Sequence, residues 1–574
     1  MRPEAPPWNS PDRQVGVNRS QSNKRWRQHD KCNLWQPHFV PDSRQFLQIQ
    51  FFVSLSGTRE DPDLLNMKHP IIVTLVAILL NPFALFAQAT KESDTAFSTD
   101  CDAYIRKVMK RVPEIPSVAI VVIKDDQPIF LRAYGLADKE AGVKADTNTL
   151  YYIASSTKSF MAMAAALLDK EGKIRLDDPM TKYAAGLTFK ASIPAKVTVR
   201  DLLIHTSGLR NGPLTFRMAY SGESDEKDMM RVFADVTTYD DARYGKYAYD
   251  NLGYNIYGLL LQRTLNKKWQ DLLQERIFSP LGMRHTTAYV SKARAARMVV
   301  AEPYMFSADT GTVIRSPIAK QDSNMQSAGG MMTSISDIGR WLRLNLNEGK
   351  LDGKQVIPAE IMKSLHTGYT QTTRDERPFI GNGEYGLGWQ IGKYANEKVI
   401  YHHGGFPGWS SHISYMPDKK IGVAVMINEN TAGGNAGHVL ATYVYDWLLG
   451  TADREATYAA QLEDGATNYG KMKLARQASV RERANRTLQL TRPLQDYVGR
   501  YRNDQLGNIQ ITVQQNTLGL KLGNIETVST PFTQPDTIRV EILPGQGEVI
   551  EFGFNADGQI DSLSYAGMRF VRVK

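Results

Sequence analysis

The sequence predicts an α+β fold: one antiparallel sheet assembled from both ends of a large domain, helices on its faces, and a small antiparallel β-barrel after it. Three observations carry this prediction. Apolar runs of strand length stand early, at Ser117–Ile123 and Ile129–Tyr134, and late, at Val399–His402, Ser410–Met416 and Gly422–Asn428. Between them lie stretches with apolar residues at helical spacing. After Pro493, short alternating runs punctuated by Gly, Asn and Asp succeed one another, the pattern of a barrel or sandwich.

Residues 1–66 hold three of the eight tryptophans (Trp8, Trp26, Trp35) and no sustained period, so they are expected to be a non-native extension outside the folded domains. Met67-Lys68-His69, the apolar run from Pro70 to Phe86, and Ala87-Gln88-Ala89 come next. That is the charge–apolar–small layout of a secretory signal peptide. The run contains Asn81-Pro82 and is short for a spanning helix. Translation is expected to start at Met67 and cleavage to follow Ala89. Export to a periplasm or the exterior is then expected, with no stable membrane anchor after cleavage.

The main domain is expected over residues 100–452. Its first two runs form a hairpin around Lys124-Asp125-Asp126-Gln127-Pro128. Phe160–Leu168 opens a buried helix ending near Gly172. Val199–His205 is a short helix closed by Thr206-Ser207-Gly208, and Tyr254–Thr264 is another. Ser336–Leu346 is a helix with Ser336 as N-cap, and Val439–Leu449 closes the domain. Residues 453–490 are dense in charge and read as a linker, with a solvated helix over Lys471–Leu490. The barrel is expected over 491–574, from strands Tyr497–Tyr501, Asn508–Val513, Thr517–Leu522, Thr537–Leu543, Val549–Phe554 and Arg569–Val573.

The length of 574 residues calls for more than one domain, and the 42% hydrophobic share supplies a large core. The net charge of +9 is scattered, with no basic run interleaved with aromatics, so no nucleic-acid partner is expected. The two cysteines are Cys32 and Cys101. No CxxC or His/Cys cluster stands at ligand spacing, so neither a metal nor a cofactor is expected. The mature chain would keep only Cys101 and have no internal disulfide.

The chemistry centres on Ser155-Ser156-Thr157-Lys158, at the head of the buried helix. Residues three apart share a helix face, so the Ser155 hydroxyl and the Lys158 amine can meet. A buried lysine loses proton affinity and can accept the serine proton, while the helix N-terminus favours a developing oxyanion by about 0.3–1 kcal/mol. A second copy of the spacing, Ser224-Asp225-Glu226-Lys227, lies in an acidic stretch with no apolar helix behind it and reads as a solvated loop.

Tyr249-Asp250-Asn251 precedes the helix Tyr254–Thr264. A phenol beside Lys158 would serve as general base and acid, and Asn251 offers both a donor and an acceptor. Tyr394-Ala395-Asn396 and Tyr501-Arg502-Asn503 repeat the spacing; the first reads as a turn and the second falls in the barrel. His403-Gly404-Gly405 closes the strand Val399–His402 and leads into Phe406-Pro407-Gly408. The glycines let backbone approach a ligand, and the amide of Phe406 with that of Ser155 would hold an oxyanion. His403 is expected near Tyr249 and the substrate, with His402 on the opposite face by strand alternation.

The order Ser-x-x-Lys, Tyr-x-Asn, His-Gly-Gly resembles the penicillin-recognising serine hydrolases, in the class C β-lactamase-like branch that includes β-lactamases, D,D-peptidases, D-aminopeptidases and carboxylesterases. Further stretches resemble the family: Tyr134–Asp138, Leu176–Pro179, Val199–Leu209, Pro280–Met283 and Ser327–Met331. The likeness covers about residues 100–450 and implies a β-lactamase/transpeptidase-like sheet with a helical subdomain. It also implies that Ser155 is acylated, that Lys158 and Tyr249 transfer protons, that Asn251 orients substrate, and that His403 is the third-motif cation. The tail opening with Leu494–Tyr501 resembles the lipocalin-like β domain appended to such hydrolases.

Three departures stand out. His403 replaces the lysine usual in β-lactamases, which points to the esterase and peptidase members. Asp250 takes a position where a small residue is commoner and is expected to face solvent. Arg243-Tyr244-Gly245-Lys246 replaces the usual Pro-Gly turn before the tyrosine. The expectation is a secreted serine hydrolase acting on a small-molecule or short-peptide ester or amide, either a peptidase on D-amino-acid peptides or a carboxylesterase. The alternatives are a β-lactamase and a penicillin- or muropeptide-binding sensor that does not turn over. Oligomeric state is left open.

Overall fold

The computed structural model describes residues 94–222, 225–372, 379–543 and 545–573. The expected extension and signal peptide, Cys32, and Ser224 of the second Ser-x-x-Lys spacing lie outside the described residues. Nine strands make the main sheet: β1 (Ser117–Lys124), β2 (Gln127–Asp138), β3 (Val143–Lys144), β4 (Thr370–Gln371), β5 (Ile380–Tyr385), β6 (Gln390–Tyr394), β7 (Glu397–Phe406), β8 (Trp409–Met416) and β9 (Ile421–Ile427). Their order is β4-β5-β6-β7-β8-β9-β1-β2-β3. Val118 of β1 lies opposite Ile427 of β9, so the early and late strands are neighbours and run antiparallel. Strands β8 and β9 are buried along their whole length. Both sheet faces are covered there, which is why these segments read as apolar runs more than as alternation.

Among the helices packed around the sheet are α1 (residues 94–111), α2 (Thr157–Lys170), α3 (Leu252–Leu265), α4 (Gln326–Gly329), α5 (Ile335–Leu346), α6 (Gly433–Leu449) and α7 (Arg454–Ala484). On one face of the sheet, Val121, Ile123 and Ala424 pack with Phe160 of α2, Ile256 of α3 and Trp341 of α5. On the other, Val122 and Val425 pack with Ile105 of α1, Leu440 of α6 and Tyr458 of α7. Helix α2 is buried from Thr157 to Ala166, so it is enclosed all round rather than along a stripe.

Several boundaries differ from the sequence reading for identifiable reasons. Ser334, not Ser336, caps α5: its hydroxyl accepts from the Asp337 amide at 3.2 Å, while Ser336 donates to Asn148 at 2.9 Å. Helix α6 starts six residues before Val439 because the buried Glu429 carboxylate accepts from the amides of Thr431, Ala432 and Gly433 at 2.8, 2.7 and 2.9 Å. Most of the segment read as a linker is the 31-residue helix α7, which starts 17 residues before the expected Lys471 and ends at Ala484, short of the expected Leu490. Its buried Tyr458, Leu462 and Tyr469 lie on an otherwise charged sequence, and the Tyr458 ring packs 5.2 Å from Tyr443 of α6.

The C-terminal strands are β10 (Gly499–Asn503), β11 (Gly507–Gln514), β12 (Thr517–Leu522), β13 (Ile525–Val528), β14 (Thr530–Pro531), β15 (Thr537–Leu543), β16 (Gln546–Phe554), β17 (Ile560–Tyr565) and β18 (Met568–Val573). They take the order β13-β12-β11-β10-β18-β17-β16-β15-β14 and curl until β13 lies beside β15, a nearly closed antiparallel barrel. Tyr501 is buried in its core and donates to the Tyr497 carbonyl at 2.8 Å. Tyr394-Ala395-Asn396 is the turn between β6 and β7, with φ of 48° and 67° at its last two residues, as a tight primed hairpin turn requires.

Candidate active site

The chain enters α2 through a tight 3-10 turn, Ala154–Ser156. Ala154 has φ 44°, a left-handed conformation that costs a non-glycine residue about 1 kcal/mol or more and is found at functional turns. The turn holds Ser155 half-exposed, while every other residue from Thr149 to Ala166 is buried. One helical turn on, Lys158 points back along the same face. Its Nζ lies 3.2 Å from Ser155 Oγ, 2.8 Å from Asn251 Oδ1 and 2.8 Å from the Ala328 carbonyl.

Those three partners define the proton inventory of the amine. The Ala328 carbonyl and the Asn251 Oδ1 only accept. A neutral amine that spends both hydrogens on them turns its lone pair toward the Ser155 hydroxyl. Burial lowers Lys158 from its ordinary value to about 7, opposed by the charge of Asp250. A neutral amine is therefore accessible near physiological pH. The Tyr249 ring centroid lies 5.0 Å and that of Tyr254 5.5 Å from the same Nζ.

Asn251 occupies the N-cap position of α3 but makes no cap hydrogen bond, because its side chain is committed to Lys158. Asp250 caps the helix in its place, with Oδ1 accepting from the Gly253 amide at 3.2 Å. This corrects the expectation that Asp250 faces solvent. It is half-buried, and desolvation raises its carboxyl to about 6 against the opposing amide hydrogen bonds and the Lys158 charge.

Two stretches of the family likeness acquire a local role here. Ser327-Ala328-Gly329 belongs to the one-turn helix α4, docked on α3 by Ser327 Oγ donating to the Tyr254 carbonyl at 2.8 Å and by the Ala328 amide donating to Asn255 Oδ1 at 3.3 Å. That docking aims the Ala328 carbonyl at Lys158. His205 comes after the helix Val199–Leu203 with φ 62°, and its ring lies 4.5 Å from Tyr249 and 4.8 Å from Tyr385. Burial drives His205 well below its ordinary value, with Lys158 and His402 adding to the effect, so it is a neutral prop beneath the tyrosine. In place of the Pro-Gly turn, the Gly245 amide donates to the Thr206 carbonyl at 2.9 Å, and Lys196 sits 4.6 Å above the Tyr244 ring.

Strand β7 passes against the nucleophile turn. A Cβ on Gly404 would stand 1.9 Å from the Ile153 carbonyl oxygen, so only glycine fits. Ser411 Oγ, from β8, bonds the same carbonyl at 2.9 Å and Ser156 Oγ at 3.1 Å. Gly405 is exposed, with nothing within 4 Å of a Cβ placed on it. The Phe406 ring packs 5.2 Å from Tyr152 and stacks 5.8 Å from Tyr220. Gly404 fixes the parity of the strand, and alternation then puts His402 and Phe406 on its face.

The expected place of His403 is thereby corrected. It turns to the opposite face, its ring 4.8 Å from His412 and 4.2 Å from His438. His402 is the histidine that shares the face of Tyr249, with ring centroids 6.3 Å apart. Its Nδ1 lies 2.7 Å from the His403 carbonyl, an acceptor, so Nδ1 carries the proton; Nε2 accepts from Tyr385 Oη at 3.3 Å. Burial first and Lys158 second lower His402 to about 3, so the strand presents no imidazolium to the cleft. Sequence reasoning missed His402, Tyr385, His205 and the Ala328 carbonyl; all act through packing or backbone, where residue type gives little signal.

A family model described as Beta-lactamase matches residues 105–444. The unguisins hydrolase ungD of Aspergillus violaceofuscus is 25% identical over 381 residues, 63% of this chain and 66% of that protein. Protein flp of Staphylococcus aureus strain MW2 is 26% identical over 325 residues, 55% of this chain and 60% of that protein. The chain thus spans roughly three-fifths to two-thirds of the length of these relatives. Among solved structures, the octameric penicillin-binding protein homologue from Pyrococcus abyssi aligns with TM-score 0.53 and 23% identity, covering 83% of this chain and 99% of that one, which is a likeness of fold. With the family model matching well over half of the residues, the chain belongs to the beta-lactamase family.

Proposed function

We propose that the protein is a serine hydrolase that cleaves esters or amides of an apolar acyl group through an acyl-enzyme on Ser155. The observation that carries this reading is the 3.2 Å contact between Ser155 Oγ and a Lys158 amine whose other two partners are pure acceptors. Ser155 Oγ attacks the carbonyl carbon as its proton passes to Lys158, forming the Oγ–C bond. The carbonyl oxygen becomes an oxyanion, held by the amides of Ser155 and Gly405, because Phe406, opposite Trp409 across a two-residue turn, spends its own amide on that hairpin partner; one such donor is worth about 3–4 kcal/mol in the transition state. The proton moves by way of Tyr249 to the leaving alkoxide or amine as the C–O or C–N bond breaks. Water then repeats the sequence against the acyl-serine, with Lys158 and Tyr249 taking its proton.

Two further observations favour an uncharged acyl donor. Phe406, Tyr152 and Tyr220 form an aromatic group beside the nucleophile turn. His402, the strand histidine on the face of Tyr249, is held neutral, so it offers no fixed positive charge to a substrate carboxylate. The relative named unguisins hydrolase is in keeping with hydrolysis in this branch. The test pairs p-nitrophenyl esters with D- and L-amino-acid p-nitroanilides. Wild type is expected to turn over at least one class and to gain the acyl mass on Ser155 when quenched. Ser155→Ala is expected to lose both signals with an unchanged circular dichroism spectrum. Undiminished turnover in Ser155→Ala overturns the reading, as does a stable penicillin adduct with no turnover of any ester or amide.

A further inference from the structure

The far face of β7 carries a second convergence of chemistry-bearing side chains. His403 of β7, His412 of β8 and His438 of α6 bring ligand nitrogens together, all within 4.8 Å of one another. His403 and His412 are register partners across the strand pair. The His438 ring lies across both, 4.2 Å from His403 and 5.3 Å from His412 at angles of 84° and 78°. We propose that His403, His412 and His438 form a binding site for a first-row transition-metal dication, with Zn2+ the ion it fits.

The distances suit that ion. Zn–N bonds of about 2.0–2.1 Å at tetrahedral angles set neighbouring ligand nitrogens about 3.3 Å apart. Nδ1 of His412 and Nδ1 of His438 are 3.1 Å apart, already close to that edge. A modest rotation of the half-buried His403 ring completes the triangle. The surroundings also orient a ligand. His412 Nε2 lies 2.7 Å from Ser414 Oγ, which lies 2.7 Å from Tyr445 Oη. With Nε2–H donated to that hydroxyl, the Nδ1 lone pair of His412 faces His438, the outer-shell arrangement that metal-binding histidines use.

The donor set discriminates among ions. Three imidazoles, with no carboxylate or thiolate in the group, favour Zn2+, Ni2+ or Cu2+ over Mg2+ and Ca2+, which take oxygen ligands. His412 is 2% exposed, whereas His403 and His438 are half-buried, so an ion enters from their side and a water completes its shell. The Phe379 ring, 5.5 Å from His412 and 6.1 Å from His403, walls the site with apolar surface. A bound ion ties β7 to β8 and α6 behind the strand that carries Gly404, Gly405 and Phe406. It takes no part in the Ser155 chemistry, and the proposal stands apart from the hydrolase reading.

Co2+ is the probe, because a tetrahedral imidazole site gives it intense visible d–d bands. The full chain, stripped with EDTA and dialysed, is expected to bind one equivalent with those bands. His438→Gln is expected to abolish the bands and weaken binding at least about tenfold. Ser414→Ala keeps every ligand but loses an outer-shell partner, and is expected to weaken binding about 10–100-fold. If His438→Gln fails to fold, His403→Gln reads the same ligand set. Wild type without stoichiometric binding, or a folded ligand variant that binds Co2+ as wild type does, overturns the proposal.

Discussion

Lys158 is the residue on which the acid limb of activity depends. Burial lowers it to about 7, so the neutral fraction that can accept the Ser155 proton grows as pH rises through that value. The rate constant kcat/KM is expected to climb with pH and level off above about 7 to 8. Asp250 opposes the effect of burial, since its negative charge favours the protonated amine. Asp250→Asn removes that charge, so Lys158 should lose its proton more readily and the acid limb should move to lower pH. A pH profile of kcat/KM decides it: a limb that stays in place or moves up contradicts the assignment of Lys158 as base. At this scale the meeting of Ser155, Lys158 and Asn251 was legible. Ser155, Lys158 and Asn251 carry donors, acceptors and a nucleophile at spacings only a few arrangements satisfy, and they meet. His402 was not legible, because two adjacent histidines differ only in parity. The parity is set by Gly404 against Ile153, a contact between residues some 250 positions apart.

The close passage of β7 over the nucleophile turn is an element-scale device and has an element-scale test. Gly404→Ala drives a methyl to 1.9 Å from the Ile153 carbonyl oxygen. Such overpacking costs about 1–3 kcal/mol, and the strand must lift, carrying the neighbouring Gly405 amide with it. Gly404→Ala is therefore expected to lower both the denaturation midpoint and kcat. Gly405→Ala meets open space and should change stability by less than about 0.5 kcal/mol. Equal stabilities of the two variants in urea melts would refute the packing account. The same scale explains how far sequence reading reached among the elements. Strands β1, β8 and β9 were evident from their apolar runs. Strands β13, β14 and β17 were not: β14 spans two residues, and the others carry Glu, Thr, Ser or Asp at surface positions. Helix α7 was legible only in its second half, as a solvated helix from Lys471, since three buried residues in 31 leave a faint stripe.

At the scale of the whole molecule, the barrel is fastened to the wall of the cleft. Phe216 is 2% exposed and belongs to the barrel's own apolar core. The Asn524 amide donates to the Ser221 carbonyl at 2.8 Å, and Arg231 donates to the Asp504 carbonyl at 2.5 Å. Between Phe216 and Ser221 stands Tyr220, whose ring stacks on Phe406. One short segment thus has its ends held by the barrel and its Tyr220 ring against Phe406, the residue that follows the amide assigned to the oxyanion. Phe216→Ala removes the anchor at a cost of about 3–5 kcal/mol where a buried aromatic leaves a cavity, and loosens Tyr220 without touching Ser155 or Lys158. The expected result is a lowered unfolding midpoint together with a several-fold rise in KM for an aromatic ester and kcat within about twofold of wild type. A KM that stays at the wild-type value while stability falls would mean that the barrel only braces the sheet domain. A parallel fall in kcat would mean instead that the segment holds the catalytic turn itself. The KM-against-kcat split therefore separates a barrel that shapes substrate binding from one that merely stabilises the chain.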